Sequence, residues 1–227
     1  MILGKKMFQR DYILRMMEQF TKVLAKVLFN KQTKNYEAAH DEIRKSYRTI
    51  FGIDEVIIYA SSAEEIVELL KLRGKNDPKV YIILAELLRE EAELFRESGL
   101  ANEESAIVYQ KAIALYFEAL LDNPAFQTNE YFEKVNFILD ELKNYHVSFP
   151  VLFKTMKYFE LTGKYSQAEN VLFDLVELNP VAARNEGIKF YERLQILSDE
   201  KLEAGNYSRE EISQGQRDFN ERLNSYL

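Results

Sequence analysis

The chain has 227 residues, no cysteine, no tryptophan and a formal net charge of −7. The missing cysteines exclude a disulfide framework, a thiolate metal site and a thiol nucleophile, and two histidines, His40 and His146, leave little material for imidazole chemistry. Residues 1–50 carry 11 basic against 5 acidic side chains while the remainder is acidic, which argues against general nucleic-acid binding but leaves a local basic patch.

Glycine (8) and proline (4) are scarce, so long helices are expected and a turn-rich β-sandwich is not. In residues 13–28, Ile13, Met16, Met17, Phe20, Leu24, Val27 and Leu28 recur at steps of three and four, the signature of one helix face. The same period runs through 80–95 and 131–142. Val56-Ile57-Ile58-Tyr59 is the one strand-like run; it is too short to seed a sheet and reads as a buried connector. Helices are expected at 7–30, 34–50, 62–73, 78–98, 102–122, 129–145, 149–162, 166–178, 182–204 and 208–225. Ser61 with Glu64, Ser166 with Glu169 and Ser208 with Glu211 fit the capping box. Asp77-Pro78 places a cap before a first-turn proline, Asn102, Thr128 and Ser148 open further helices, and Asn123-Pro124 and Asn179-Pro180 close two. Connections are short, which suits antiparallel neighbours. A single domain over 1–227 is expected, with 52–61 as the best candidate for a joint.

No segment reaches the roughly 18–20 apolar residues that a membrane-spanning helix needs, and Arg10, Asp11, Arg15 and Glu18 interrupt the N-terminal run that a signal peptide requires. A soluble cytoplasmic protein is expected.

Residues 151–180 carry the most information. Gly163-Lys164-Tyr165-Ser166-Gln167-Ala168, followed by Leu172, Leu175 and Leu178-Asn179-Pro180, resembles a tetratricopeptide repeat. Gly163 permits a left-handed helix end, Tyr165 plugs the open end of the hairpin, Ala168 lets two helices approach, and Pro180 ends the second. Lys34-Asn35-Tyr36-Glu37-Ala38-Ala39 and Gly205-Asn206-Tyr207-Ser208 echo the order, and Gly99 begins a degenerate fourth hairpin. The competing reading is an irregular bundle with one chance match. The whole chain also resembles an uncharacterised family of tetratricopeptide-like helical proteins from low-GC Gram-positive bacteria. The resemblance rests on Gln9-Arg10-Asp11-Tyr12-Ile13, Asn35-Tyr36-Glu37-Ala38-Ala39, Tyr191-Glu192-Arg193-Leu194, Ser198-Asp199-Glu200-Lys201-Leu202 and Ser208-Arg209-Glu210-Glu211. It implies a helical solenoid and supplies no functional residues. The expected fold is therefore all-α, a tetratricopeptide-like superhelical stack of about five antiparallel hairpins.

Chemistry-bearing patterns are few. Glu37-x-x-His40 has the spacing of a di-metal half-site, but the second half-site is missing, since His146 follows Lys143. His40 reads better as the edge of the Tyr36, Ala39, Ile43, Tyr47 stripe. His146 continues the Val135, Leu139, Leu142 stripe at a helix C-terminus, where a positive charge is favoured. Glu91 falls on the apolar face of the 80–95 helix, between Leu84 and Phe95. It marks either a polar pocket or a stripe edge where it reaches solvent or pairs with a basic neighbour, and the second reading is preferred. Glu90-Glu91 and Glu103-Glu104 read as solvated pairs. The N-terminal helix, with Lys5, Lys6, Arg10, Arg15, Lys22 and Lys26, offers a docking face or simply the first wet face of the stack. No phosphate-binding loop, nucleophile elbow or His-Glu-x-x-His is present. If the first helix of each hairpin lines an inner groove, Phe153, Lys157 and Glu160 face it, with Lys154 beside them; Lys154 and Lys157 would meet a peptide carboxylate. The expected function is a non-catalytic protein- or peptide-binding adaptor without cofactor or metal. The alternatives are a helical regulator sensing a signal peptide or small metabolite in a pocket around Glu91, and a carboxylate-metal enzyme.

Overall fold

The computed structural model describes residues 2–99 and 102–226, with side chains from 11–99 and 103–226. All regular structure among them is helical, and no strand occurs. The chain divides into two compact units, residues 1–146 and 147–227. The expected joint at 52–61 falls inside the first.

The first unit contains α1 (Ile2–Gln32), α2 (Tyr36–Ser46), α3 (Glu55–Ala60), α4 (Ala63–Leu72), α5 (Pro78–Ser98), α6 (Asn102–Leu120) and α7 (Asn129–Glu141). Its centre is the α5–α6 pair, turned at Gly99 with φ 69°. The α5 sequence is apolar on every side through Val80-Tyr81-Ile82-Ile83-Leu84, and all five residues are buried. A helix with no wet face over that length must be wrapped by others. Here α1 and α2 pack on α5, and α4 and α7 pack on α6. The Asp77 carboxylate accepts from the Lys79 amide at 2.9 Å and Pro78 occupies the first turn, so α5 begins where the sequence places it.

Two local expectations change in this unit. Val56–Tyr59 is helical rather than a buried connector. Asp54 caps α3 through the Val56 amide at 3.1 Å, and only Ile58 is buried, whereas Val56 is 66% exposed. The helix expected at 34–50 ends at Ser46 and passes into a π-helical turn, Tyr47–Phe51, closed by Gly52 in the left-handed region at φ 67°. The wider turn seats Tyr47, Ile50 and Phe51 in the core together. Its loose carbonyls are capped from elsewhere: Arg73 donates to the Gly52 oxygen and Lys75 to the Phe51 oxygen.

The second unit contains α8 (Phe149–Leu161), α9 (Tyr165–Leu178), α10 (Pro180–Gln195), α11 (Asp199–Ala204) and α12 (Arg209–Tyr226). The α8–α9 hairpin closes through Gly163, at φ 73°, with the Lys164 amide donating back to the Phe159 oxygen at 2.8 Å. Tyr165 and Ala168 are buried at the closed end, and α10 and α12 pack on α9. Pro180 does more than end α9. It occupies the first turn of α10, which Asn179 caps through the Ala182 amide at 3.0 Å. The helix expected over 182–204 is two helices, because Ser198 caps a fresh start through the Lys201 amide at 3.4 Å. Gly205 is required for closeness rather than for backbone freedom. Its φ is −86°, but an added Cβ would lie 2.5 Å from the Gly163 carbonyl oxygen and from the Tyr165 ring.

Candidate functional site

Glu91 is the most deeply placed carboxylate of the first unit, with no solvent exposure. Left unpaired there, it would be too expensive to keep charged. Donors from two helical segments meet it instead, and a histidine from a third stands near. The Tyr47 hydroxyl, at the start of the π turn, donates to Oε2 at 2.5 Å. The Tyr59 hydroxyl, from α3, donates to Oε1. His40 of α2 places Nδ1 3.8 Å from Oε1 and lays its ring on Phe95 at 4.6 Å between centroids. One turn along α2, Arg44 stands beside Tyr59, whose oxygen raises the guanidinium pKa.

Lys111 of α6 completes the surround. It is buried and donates to the Ile58 and Tyr59 carbonyls at 2.7 and 2.8 Å, closing the C-terminal end of α3. Burial lowers its pKa, against the pull of Glu91 and Glu65. Burial raises both tyrosine pKa values, and the neighbouring Glu91 charge adds to the effect. Both phenols therefore stay neutral and keep the proton that they donate. Each carboxylate oxygen is engaged and out of solvent reach, at a junction of α2, α3, α5 and α6.

Of the preferred reading, a stripe edge where Glu91 reaches solvent or pairs with a basic neighbour, the solvent contact is absent: the carboxylate is fully enclosed and bonded by tyrosines, with Arg44 and Lys111 nearby. The Glu90-Glu91 pair is not solvated either, since Glu90 is 5% exposed. Glu90 belongs to a second ladder on α5, which sequence reading missed. Arg89 bonds Glu90 at 2.5 Å, Glu86 at 3.3 Å, and Glu93. Lys31 of α1 bonds Glu93 at 2.6 Å and Glu97 at 3.1 Å, and Lys134 of α7 bonds Glu86 at 2.5 Å. The available signal was the density of carboxylates on a helix apolar all round; on such a helix acidic side chains have no wet face to occupy.

Of the remaining candidates, His40 sits at the stripe edge as read, and Glu37 is exposed. His146 lies beyond α7, which ends at Glu141. Its side chain is exposed, and its carbonyl accepts from Gln110 at 3.0 Å. No group of three or more histidine or acidic side chains among the described residues is placed to hold a metal ion. On α1, Arg15 and Lys22 are exposed and Lys26 bonds Glu42 of α2 at 3.0 Å. The Lys5, Lys6 and Arg10 side chains lie outside the described residues, as does that of Asn102.

On α8, Phe149 stacks on Phe153 with centroids 6.4 Å apart, and the Lys157 ammonium lies 4.5 Å from the Phe153 ring centre. Both Phe153 and Lys157 are half-buried. Glu160 is held by Arg193 of α10 through two hydrogen bonds, 2.6 and 2.9 Å, and Arg193 also bonds Glu186 at 2.9 Å. Lys154 is half-buried beside them. The structure thus brings Phe153, Lys157 and Glu160 onto a row that runs from an aromatic stack to an ion pair with α10.

No helix among the described residues is long and apolar enough to cross a membrane. No curated protein and no solved structure matches the chain. A family of unknown function, DUF6483, matches over residues 7–224, and the chain belongs to that family.

Proposed function

We propose that the protein is a non-catalytic adaptor of the bacterial cytoplasm that binds a protein or an extended peptide, and that its second unit is a tetratricopeptide-like stack. The observation that carries the reading is the Glu160–Arg193 fork. It links α8 to α10 through one ion pair, as successive first helices are neighbours in such a stack, while α9 packs against both. The left-handed Gly163, the buried Tyr165 and the fully buried Ala168 support the same arrangement. The row on α8 then offers an aromatic ring and lysine ammoniums to a passing chain. A peptide carboxylate gains a charged hydrogen bond there, worth about 1.5–3 kcal/mol when desolvated, and an apolar side chain gains the Phe149–Phe153 stack.

The test is affinity capture with the full chain, comparing wild type with the double variant Lys154→Glu/Lys157→Glu. Both positions retain solvent contact, so helix content by circular dichroism should not change. The expected result is one reproducible partner held by the wild type and released by the variant. Equal recovery of that partner by both proteins would reject the α8 row as the binding surface.

A further inference from the structure

In the first unit a groove of about 400 Å³ opens between α1 and α7, with α5 as its floor. The volume lies in the lower part of the range for small-ligand pockets, about 300–1,000 Å³. Ile82 and Ile83 form the floor, and Met17, Phe20 and Leu24 form the α1 wall. Phe126, from the short 3-10 turn Pro124–Phe126, and Tyr131 of α7 stand opposite.

The polar groups of the lining differ in one respect that decides the ligand. Lys134 already bridges the two carboxylates, reaching Glu86 at 2.5 Å and Glu130 at 2.9 Å, and Arg89 takes Glu86 as well. The Thr21 hydroxyl donates to the Met17 carbonyl at 2.9 Å. Lys79 alone brings a charge to the lining that no carboxylate matches: among the described residues none lies within ion-pairing distance of it. Its nearest acidic neighbour in sequence, Asp77, commits its side chain to the Lys79 backbone amide. Lys79, Ile82, Ile83 and Glu86 follow one another at i, i+3, i+4 and i+7 along α5, so the floor runs about 10 Å from a free ammonium to a neutralised acid. A cationic ligand would find both carboxylates occupied and Lys79 opposed to it. An anion with an apolar tail finds the ammonium for its head and Ile82, Ile83 and the α1 wall for its tail.

We propose that this groove binds an amphiphilic monocarboxylate of medium chain length, its head at Lys79 and its alkyl chain laid over Ile82 and Ile83 against the α1 wall. The groove is lined by first-unit residues and the α8 row by second-unit residues, so either proposal stands or falls without the other.

Calorimetric titration of the full chain tests it, with decanoate, decanol and decyltrimethylammonium as probes. Decanoate should bind saturably with one molecule per chain, at least tenfold tighter than decyltrimethylammonium. Lys79→Gln should weaken decanoate at least tenfold and leave decanol unchanged. Thr21→Trp, at an exposed position on the α1 wall, should fill the groove and abolish binding of both. Met17→Trp, at a site 45% exposed on the same wall, serves as a second occluding variant. Thermal midpoints without ligand verify that the variants fold. No saturable decanoate binding, equal affinity for the cationic probe, or full binding by both folded tryptophan variants would each overturn the proposal.

Discussion

Glu91 in the first unit and Glu169 in the second are both carboxylates on core helices, and both accept a tyrosine hydroxyl. Glu91 is fully enclosed and takes Tyr47 and Tyr59, with His40, Arg44 and Lys111 around it. Glu169 is half-buried and takes Tyr191 at 2.8 Å. What makes room for it is Gly215 of α12: an added Cβ would sit 1.7 Å from the Glu169 Oε1 atom and 3.1 Å from the Tyr191 hydroxyl. The first unit thus holds its carboxylate by importing donors from two other segments. The second holds its own by keeping a facing helix bare. Removing polar groups should therefore injure the first unit, and adding volume should injure the second.

The largest effect is expected at Glu91. Glu91→Leu leaves the buried Tyr47 and half-buried Tyr59 hydroxyls without their acceptor and strips Arg44 and Lys111 of a nearby negative charge. A neutral hydroxyl left inside without a partner costs about 1–3 kcal/mol. Denaturant unfolding should register a loss of that order. The triple variant Glu91→Leu/Tyr47→Phe/Tyr59→Phe removes donors and acceptor together, which is far cheaper than orphaning one side, and should recover a large part of the loss. A triple variant no more stable than the single one would mean that the tyrosine hydrogen bonds are not what makes Glu91 tolerable.

The same contrast explains what the sequence made legible. Local signals were read well. The bounds of α5, the Ser208–Glu211 capping box and the turn at Gly163 all depend on residues within a few positions of each other. Where local signals overlapped, the core decided between them. Ser61-x-x-Glu64 and Ser62-x-x-Glu65 fit the capping rule equally, and the box forms at Ser62 because that start turns Ala63, Ile66, Val67 and Leu70 inward. Ser166 does not cap α9, since the helix already begins at Tyr165, whose ring is buried. The setting of Glu91 was out of reach for a different reason. Its tyrosine partners come from 44 and 32 residues upstream, one of them on a π turn that no local period announces. On α8, spacing alone put Phe153, Lys157 and Glu160 on a common row, but the partner of Glu160, Arg193, lies 33 residues further on.

A smaller effect is expected at Gly187 of α10, and it tests the second half of the contrast. A Cβ there would stand 2.1 Å from the tip of the Phe219 ring of α12, which is itself buried. Alanine in a helix interior normally gains up to about 1 kcal/mol over glycine, whereas forcing extra volume into a packed core costs about 1–3 kcal/mol. Gly187→Ala should therefore lose about 1–2 kcal/mol. In a double-mutant cycle, Phe219→Leu should cost less in the Gly187→Ala background than in the wild type, because the smaller side chain vacates the clash. A stabilised Gly187→Ala protein would show that helix propensity outweighs packing here and that the second unit is not limited by volume.

The smallest expected change, at Glu90, sharpens the first half by separating a carboxylate that is well compensated from one that is not. Burial raises the Glu90 pKa above its ordinary 4.5, and attraction to Arg89 and Lys31 offsets only part of that rise. A group whose pKa is higher in the folded chain adds stability below its unfolded value and loses it as pH climbs through the folded one. Charged Glu90 therefore weakens the first unit at neutral pH. Glu90→Gln keeps the shape and removes the charge. Arg89 retains Glu86 and Glu93, and Lys31 retains Glu93 and Glu97, so no cation is stranded. The variant should melt above wild type at pH 7, and the gap should narrow as the pH falls through the raised pKa of folded Glu90 and be closed below the ordinary value of 4.5, where the unfolded chain is protonated as well. A gap that stays constant with pH would assign the difference to packing, and a Gln variant that melts lower at pH 7 would make Glu90 a net stabiliser of the ladder, held by Arg89 as firmly as Glu91 is by its tyrosines.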